Sequence, residues 1–155
     1  GLAVTTNGTI IFNEGRITTL SGLTSVNSAS IASPTIVGTN VLALSSLGYT
    51  AGSGGTITQS TSKSTTVDLD KINGEITMHN AALADGAAVV FTFTNDKIAA
   101  TDVIIANAAG NFGAYEVNAS SIQAGTCKII VRNTSGGALS EATKINFAVI
   151  KAVKT

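Results

Sequence analysis

Oxygen-bearing side chains that suit a divalent cation cluster at one point of the chain. Two aspartates, an asparagine and a glutamate stand close together: Asp68, Asp70, Asn73 and Glu75. Carboxylate and amide oxygens are the ligands that Ca²⁺ prefers. The order of an EF-hand loop is missing, however, with neither its turn glycine nor its final bidentate glutamate in place. We therefore interpret this cluster as a solvated strand end, and predict neither a metal nor another cofactor.

The residue types that most often perform catalysis are scarce. The chain has a single histidine, His79, and a single cysteine, Cys127. His79 has no recognisable nucleophile beside it, which favours a surface or interface position. Cys127 stands in phase with Ile129 and Val131, so the pattern predicts a small core residue rather than a reactive thiol. A lone cysteine also excludes an internal disulfide. We predict no catalytic residues and no enzymatic activity.

Three aromatic residues are candidates for stacking on a sugar ring: Tyr49, Phe112 and Tyr115. Core or interface positions are the alternative for each of them. The glycine-rich segment 51–55 lacks the Lys-Ser/Thr that completes a phosphate-binding loop. Asn7, Asn118 and Asn133 begin Asn-x-Ser/Thr patterns, which arise by chance in a chain so rich in these residues.

Charge excludes two classes of partner. Charged residues make up only 12% of the chain, and nine basic residues balance nine acidic ones. Without a basic surface, binding to nucleic acid through phosphate contacts is excluded. The longest uncharged run, 17–62, is interrupted throughout by Ser, Thr, Asn and Gly, so it is not a membrane span. We predict no nucleic-acid partner and no membrane insertion.

The uneven distribution of charge divides the chain. Glu14 and Arg16 are the only charged residues among the first fifty, and a glycine-rich segment follows. We interpret 1–50 as an extended arm or oligomerisation segment, 51–55 as a flexible joint, and 56–155 as a β-sandwich domain.

The predicted domain alternates apolar and polar residues with a period of two, which is typical of half-buried strands. The alternating runs include Phe91 with Phe93, Ile129 with Val131, and Ile145 with Phe147. Turn residues separate the runs: Asn73-Gly74, Asp85-Gly86, Asn95-Asp96, Gly110-Asn111 and Ser135-Gly136-Gly137. The pattern predicts an all-β fold, an antiparallel β-sandwich of jelly-roll type, preceded by the extended and weakly charged N-terminal arm.

The arm has an apolar residue at every third position: Ile17, Leu20, Leu23, Val26 and Ala29. This spacing fits neither a helix face nor a simple strand alternation. With two charges, many β-branched residues and no long helix-forming stretch, the arm is not expected to close a core of its own. Its apolar side chains therefore need a partner, either copies of the arm around a symmetry axis or a neighbouring subunit. The alternative is that the arm adds edge strands to its own sandwich.

Two segments of the predicted domain are distinctive as a set: GTITQSTSKSTTVDLDKINGEITMHNAALADGAAVVFTFTN (55–95) and AGTCKIIVRNTSGGALSEATKINFAVIKA (124–152). They resemble a C-terminal β-rich module of bacteriophage tail-fibre and other virion-surface structural proteins. The resemblance covers about two thirds of the chain and leaves out the arm. It implies an extracellular, oligomeric particle component whose surface faces solvent or a host cell, and it carries no catalytic residues with it.

Sequence and resemblance together predict a bacteriophage virion structural protein, a homotrimeric fibre, spike-tip or surface-knob component located at the particle surface. Its expected partners are other virion proteins of the capsid or tail, with a host surface glycan as a further candidate. A capsid decoration protein is the first alternative. A carbohydrate-binding β-sandwich without a virus is the second.

Overall fold

The computed structural model describes residues 48–110 and 114–152, which belong to the second of two units of the chain, Leu44–Thr155. The predicted arm, 1–50, lies outside the described residues except for 48–50. The described residues form eight strands: β1 (Gly54–Thr58), β2 (Val67–Asp68), β3 (Asn73–Thr77), β4 (Ala88–Thr94), β5 (Val103–Ala109), β6 (Tyr115–Gln123), β7 (Thr126–Asn133) and β8 (Lys144–Ile150). In this part of the chain, no helix is long and apolar enough to cross a membrane.

The strands form two mixed sheets of four strands each. The first sheet has the order β1-β3-β8-β5 and the second has the order β2-β4-β7-β6. The predicted all-β sandwich is therefore confirmed. Two pairs, β1 with β3 and β2 with β4, run parallel rather than antiparallel. The reason is that the two strands of each pair are separated in sequence by a strand of the opposite sheet, β2 or β3, after which the chain returns to the sheet of that pair in its original direction.

The core lies between the sheets, where the alternating residues meet. Phe91 and Phe93 on β4 are buried, as are Phe147 on β8 and the predicted aliphatic residues Ile129, Val131 and Ile145. Their neighbours Lys128, Arg132 and Asn146 are exposed, and Thr92 is partly exposed. The prediction of which of these residues face the core and which face outward is therefore confirmed.

The prediction of a turn at Asn73-Gly74 is wrong, because these residues begin β3. Gly74 lies beside Gly55 of β1, and a Cβ added to Gly74 would stand 2.2 Å from the Gly55 carbonyl oxygen. Glycine is therefore required for close approach of two strands rather than for a reversal of the chain. Asp85-Gly86 does form a turn, with a φ of 71° at Gly86.

Candidate functional site

The carboxylates of the candidate cation cluster make separate local contacts. Asp68 lies on β2 in the second sheet, whereas Glu75 lies on β3 in the first. An oxygen of Asp70 accepts a hydrogen bond from the backbone N–H of Asp96, with 2.6 Å between the heavy atoms. Glu75 forms an ion pair of 2.9 Å with Lys144 on the neighbouring strand. Across residues 48–110 and 114–152, no three His, Cys, Asp or Glu side chains come together as metal ligands would.

His79 belongs to a tightly hydrogen-bonded loop. Its ring Nδ1 accepts a hydrogen bond from the backbone N–H of Ala81, at 3.0 Å. Its own backbone N–H donates to Oε1 of Gln59, at 3.1 Å. The imidazole is thereby tied to the loop segment that follows it.

A buried lysine that the sequence did not reveal also binds the backbone of the loop that contains His79. Lys63 is only 4% exposed, and its Nζ donates to the carbonyl oxygens of His79 (2.7 Å) and Glu141 (2.8 Å). Gln59 is equally buried and donates to the carbonyl oxygens of Lys63 (3.0 Å) and Thr65 (2.8 Å). Together these groups link three loops that are distant in sequence. A lysine in a Ser/Thr-rich segment is normally solvated, so nothing in the sequence signals this burial.

Burial lowers the pKa of Lys63, and the nearby Glu141 opposes this by favouring the charged ammonium. A buried amine with a lowered pKa is a type of group that enzymes use as a base or nucleophile. Here both acceptors are backbone carbonyl oxygens of flanking loops. The geometry therefore indicates a clamp that stabilises one end of the sandwich.

Cys127 is buried in the core as predicted, at 1% exposure. Burial raises the pKa of its thiol to about 11, so the thiol stays protonated and unreactive at neutral pH. The neighbouring Lys128 points outward and donates to Oγ1 of Thr92, at 2.6 Å. No cation on the adjacent residue is thus available to activate the sulfur.

The two Asn-x-Ser/Thr patterns within the described residues differ in accessibility. Asn118 is exposed on β6. Asn133 is fully buried, and its amide donates to the carbonyl oxygens of Leu83 and Gly137. Asn133 therefore fixes two loops and is closed to modification in the folded chain, while the pattern at Asn7 lies outside the described residues.

The candidate stacking residues do not form a common platform. Tyr115 packs against the core, and burial raises the pKa of its hydroxyl, with smaller influences from Thr143 and Glu141. Tyr49 is 42% exposed, but its hydroxyl is held by the carbonyl oxygen of Val149 at 2.6 Å. Phe112 lies outside the described residues.

The most distinctive surface is apolar and lies on the outside of the first sheet. Val103 and Ile105 of β5 are 52% and 44% exposed, and Ile150 of β8 is 46% exposed. The strand register places Val103 opposite Ile150 and Ile105 opposite Ala148. We call the following set the apolar face: Tyr49, Ile72, Val103, Ile105, Ala148 and Ile150. The outer positions farther along the same strands are polar, with Asn146 and Lys144 among them.

The apolar face includes a groove at the point where the described chain begins. Gly48 and Tyr49 line this groove together with Ile72 and Ile150, and its volume is about 470 Å³. The first described residues, Gly48 and Tyr49, thus lie beside the exposed Ile150 of β8. No family model, curated protein or solved structure matches the chain.

Proposed function

We propose that the chain is a structural protein of a bacteriophage particle and acts as a homotrimer in a fibre, spike tip or surface knob. The observation that carries the proposal is the apolar face beside residues 48–50, where the predicted arm ends. Contiguous exposed apolar surface on a soluble domain usually marks a site of protein association. Four large residues of this face are between 42% and 52% exposed, although the sandwich core is already complete without them.

The contacts of the polar residues also favour an assembly role over catalysis. Lys63, His79 and Asn133 all bind backbone groups of neighbouring loops. These contacts stabilise loop ends and leave no activated nucleophile among them. The resemblance of segments 55–95 and 124–152 to virion-surface modules is the reason why we propose a bacteriophage particle.

Light scattering on the purified full chain tests the oligomeric state. A trimer of the 15.5 kDa chain has a mass of 46.5 kDa, three times that of the chain. We expect this mass at micromolar concentration. A folded species of 15.5 kDa throughout the accessible concentration range would contradict the trimer.

Antibody labelling of purified phage particles, viewed by electron microscopy, tests the location. We expect label at the tail fibres, the spike tip or another surface projection. Regular label over the capsid shell would instead favour the capsid decoration protein. Particles that carry the chain's gene but bind no antibody would contradict a virion role.

A further inference from the structure

Residues 79–82, which follow β3, form a loop segment whose two ends are fixed by backbone hydrogen bonds. The N–H of Met78 at one end and the N–H of Leu83 at the other each donate to a carbonyl oxygen of the connection between β7 and β8, at 2.8 Å in both cases. Between these anchors, the N–H of Ala81 donates to a side chain instead, at Nδ1 of His79. The conformation of the segment therefore depends in part on the state of one ring nitrogen.

The hydrogen bond inside this segment has the connectivity of an Asx-turn. Nδ1 of His79 is bonded to Cγ, as the side-chain oxygen of Asn or Asp is, and it accepts from the N–H two residues later at 3.0 Å. Nδ1 can accept only while it carries no proton, so the ring must be neutral with its proton on Nε2. In the imidazolium ion both ring nitrogens are donors and neither can accept. Protonation of the ring and this hydrogen bond therefore exclude each other.

We propose that His79 is an acid-sensitive latch, which holds segment 79–82 in place while its imidazole is neutral and releases the segment when Nδ1 takes up a proton. Imidazole is the side-chain group whose charge ordinarily changes between about pH 5 and 8. One proton is gained and one hydrogen bond is lost in this step, so it needs no other reactant. The latch lies within a single chain and does not depend on the trimer of the proposed function.

Two charged residues from neighbouring connections of the chain act on His79. Lys63, between β1 and β2, donates from Nζ to the carbonyl oxygen of His79 at 2.7 Å. The same Nζ donates to the carbonyl oxygen of Glu141, between β7 and β8, at 2.8 Å. A protonated imidazole places a second positive charge on the residue that already binds the Lys63 ammonium, and the Glu141 carboxylate, which favours the charged form of Lys63, offsets this in part. Repulsion between the two cations therefore adds to the loss of the hydrogen bond and favours release.

Nuclear magnetic resonance of the isotope-labelled full chain tests the latch, because His79 is the only histidine in the sequence and its ring signals are unambiguous. At neutral pH we expect a scalar coupling across the hydrogen bond, between the amide nitrogen of Ala81 and Nδ1 of the ring. In acid this coupling should vanish. Exchange of the Ala81 amide, relative to its intrinsic rate, should accelerate by about fivefold or more, the factor that corresponds to one lost hydrogen bond. Both changes should share the midpoint of the ring signals.

The two anchors of the segment serve as internal controls. The amides of Met78 and Leu83 donate to backbone carbonyl oxygens, which do not titrate, so their exchange relative to intrinsic rates should stay constant through the midpoint. Equal acceleration of all three amides would indicate acid unfolding of the domain and would overturn the latch. It would also be overturned by an Ala81 amide that shows no coupling to Nδ1 at neutral pH, or whose exchange does not respond to protonation of the ring.

Two substitutions separate the titration of the ring from its role as an acceptor. His79→Asn places an oxygen that does not titrate on Cγ, so the Ala81 amide should be protected equally at neutral and acidic pH. His79→Ala removes the acceptor, so the same amide should exchange rapidly at both. An acid response that persists in His79→Asn would contradict the latch, because no imidazole is then present to take up the proton. Failure of the latch leaves the trimer standing, since the latch involves no contact between copies.

Discussion

The rings of Phe93 and Phe147 meet edge to face, with their centroids 4.8 Å apart and their planes inclined at 67°. Phe93 lies on β4 of the second sheet and Phe147 on β8 of the first. The pair therefore joins the two layers of the sandwich at its centre. Edge-to-face aromatic pairs contribute stability beyond the apolar area that they bury.

Truncation of a buried phenylalanine of the core should strongly destabilise the domain. We expect Phe147→Ala or Phe91→Ala to lower the free energy of unfolding by on the order of 3–5 kcal/mol, as is typical of buried aromatic residues. Thr92→Ala, on the outer face of β4, should cost less than about 1 kcal/mol. Urea denaturation measures these values. A larger cost for Thr92→Ala than for Phe91→Ala would show that the faces of β4 are assigned the wrong way round.

Lys63 should make stability rise with pH in the alkaline range. Its pKa in the folded chain is lowered from 10.5. Between the folded value and 10.5, the unfolded chain binds more protons, so the free energy of unfolding increases with pH. We expect Lys63→Met to lack this increase, measured as the difference between the two denaturation curves at each pH. A constant difference across that range would contradict the assignment.

The same substitution should also weaken the domain at neutral pH. It leaves the carbonyl oxygens of His79 and Glu141 without their donor, and an orphaned buried acceptor costs on the order of 1–3 kcal/mol.

Asp102 should contribute to the loss of stability in acid. Its side chain accepts a hydrogen bond from the backbone N–H of Ala99 at 2.8 Å and pairs with Lys151. These two contacts hold the pKa of Asp102 below its usual value, with the Ala99 hydrogen bond as the larger cause. A lowered carboxyl pKa gives stability that is present above the unfolded value of 3.8 and lost as the pH falls through the folded value.

We expect Asp102→Asn to reduce this acid-dependent loss, measured by urea denaturation at a series of acidic pH values. Asp68→Asn, at the exposed end of β2, is the matched control and should leave the loss unchanged. Identical acid profiles for Asp102→Asn and the natural chain would show that the two contacts do not stabilise the charged carboxylate.

Metal removal should have no effect on the fold. Asp70 and Glu75 have protein partners of their own, and Asp68 lies in the other sheet from Glu75. Excess chelator should therefore leave the melting temperature unchanged. A clear decrease with chelator, reversed by added Ca²⁺, would restore the cation site at these residues, since a bound metal stabilises the folded state according to its occupancy.

Sequence periodicity predicts β4, β7 and β8 well because the inward positions of each strand are apolar and polar residues occupy several of the outward positions between them. Phe91 and Thr92 show this contrast on adjacent residues, and the structure places them as expected. β5 lacks the contrast, since Val103 and Ile105 are apolar although they face outward. Alternation disappears in such a strand because its outer face is apolar too. Periodicity therefore does not predict the strand that carries the candidate association surface.

The loop contacts of the candidate regions were not predictable from local sequence. Lys63 binds the carbonyl oxygen of Glu141, a residue 78 positions later in the sequence. Asn133 likewise ties down Leu83. Both contacts depend on the tertiary arrangement of loops, and neither residue type indicates burial by itself.

The crossing of the chain between sheets has a kinetic consequence. Within residues 48–110 and 114–152, β6 and β7 are the only consecutive strands that pair with each other, whereas Ile76 of β3 is paired with Ile145 of β8. Long loops must close before such pairs form, so folding should be slow compared with that of a protein built from local hairpins. At a given stability, a slow folding rate requires a proportionally slow unfolding rate, because their ratio is the equilibrium constant. The described domain should therefore persist for a long time once formed, even where its equilibrium stability is modest.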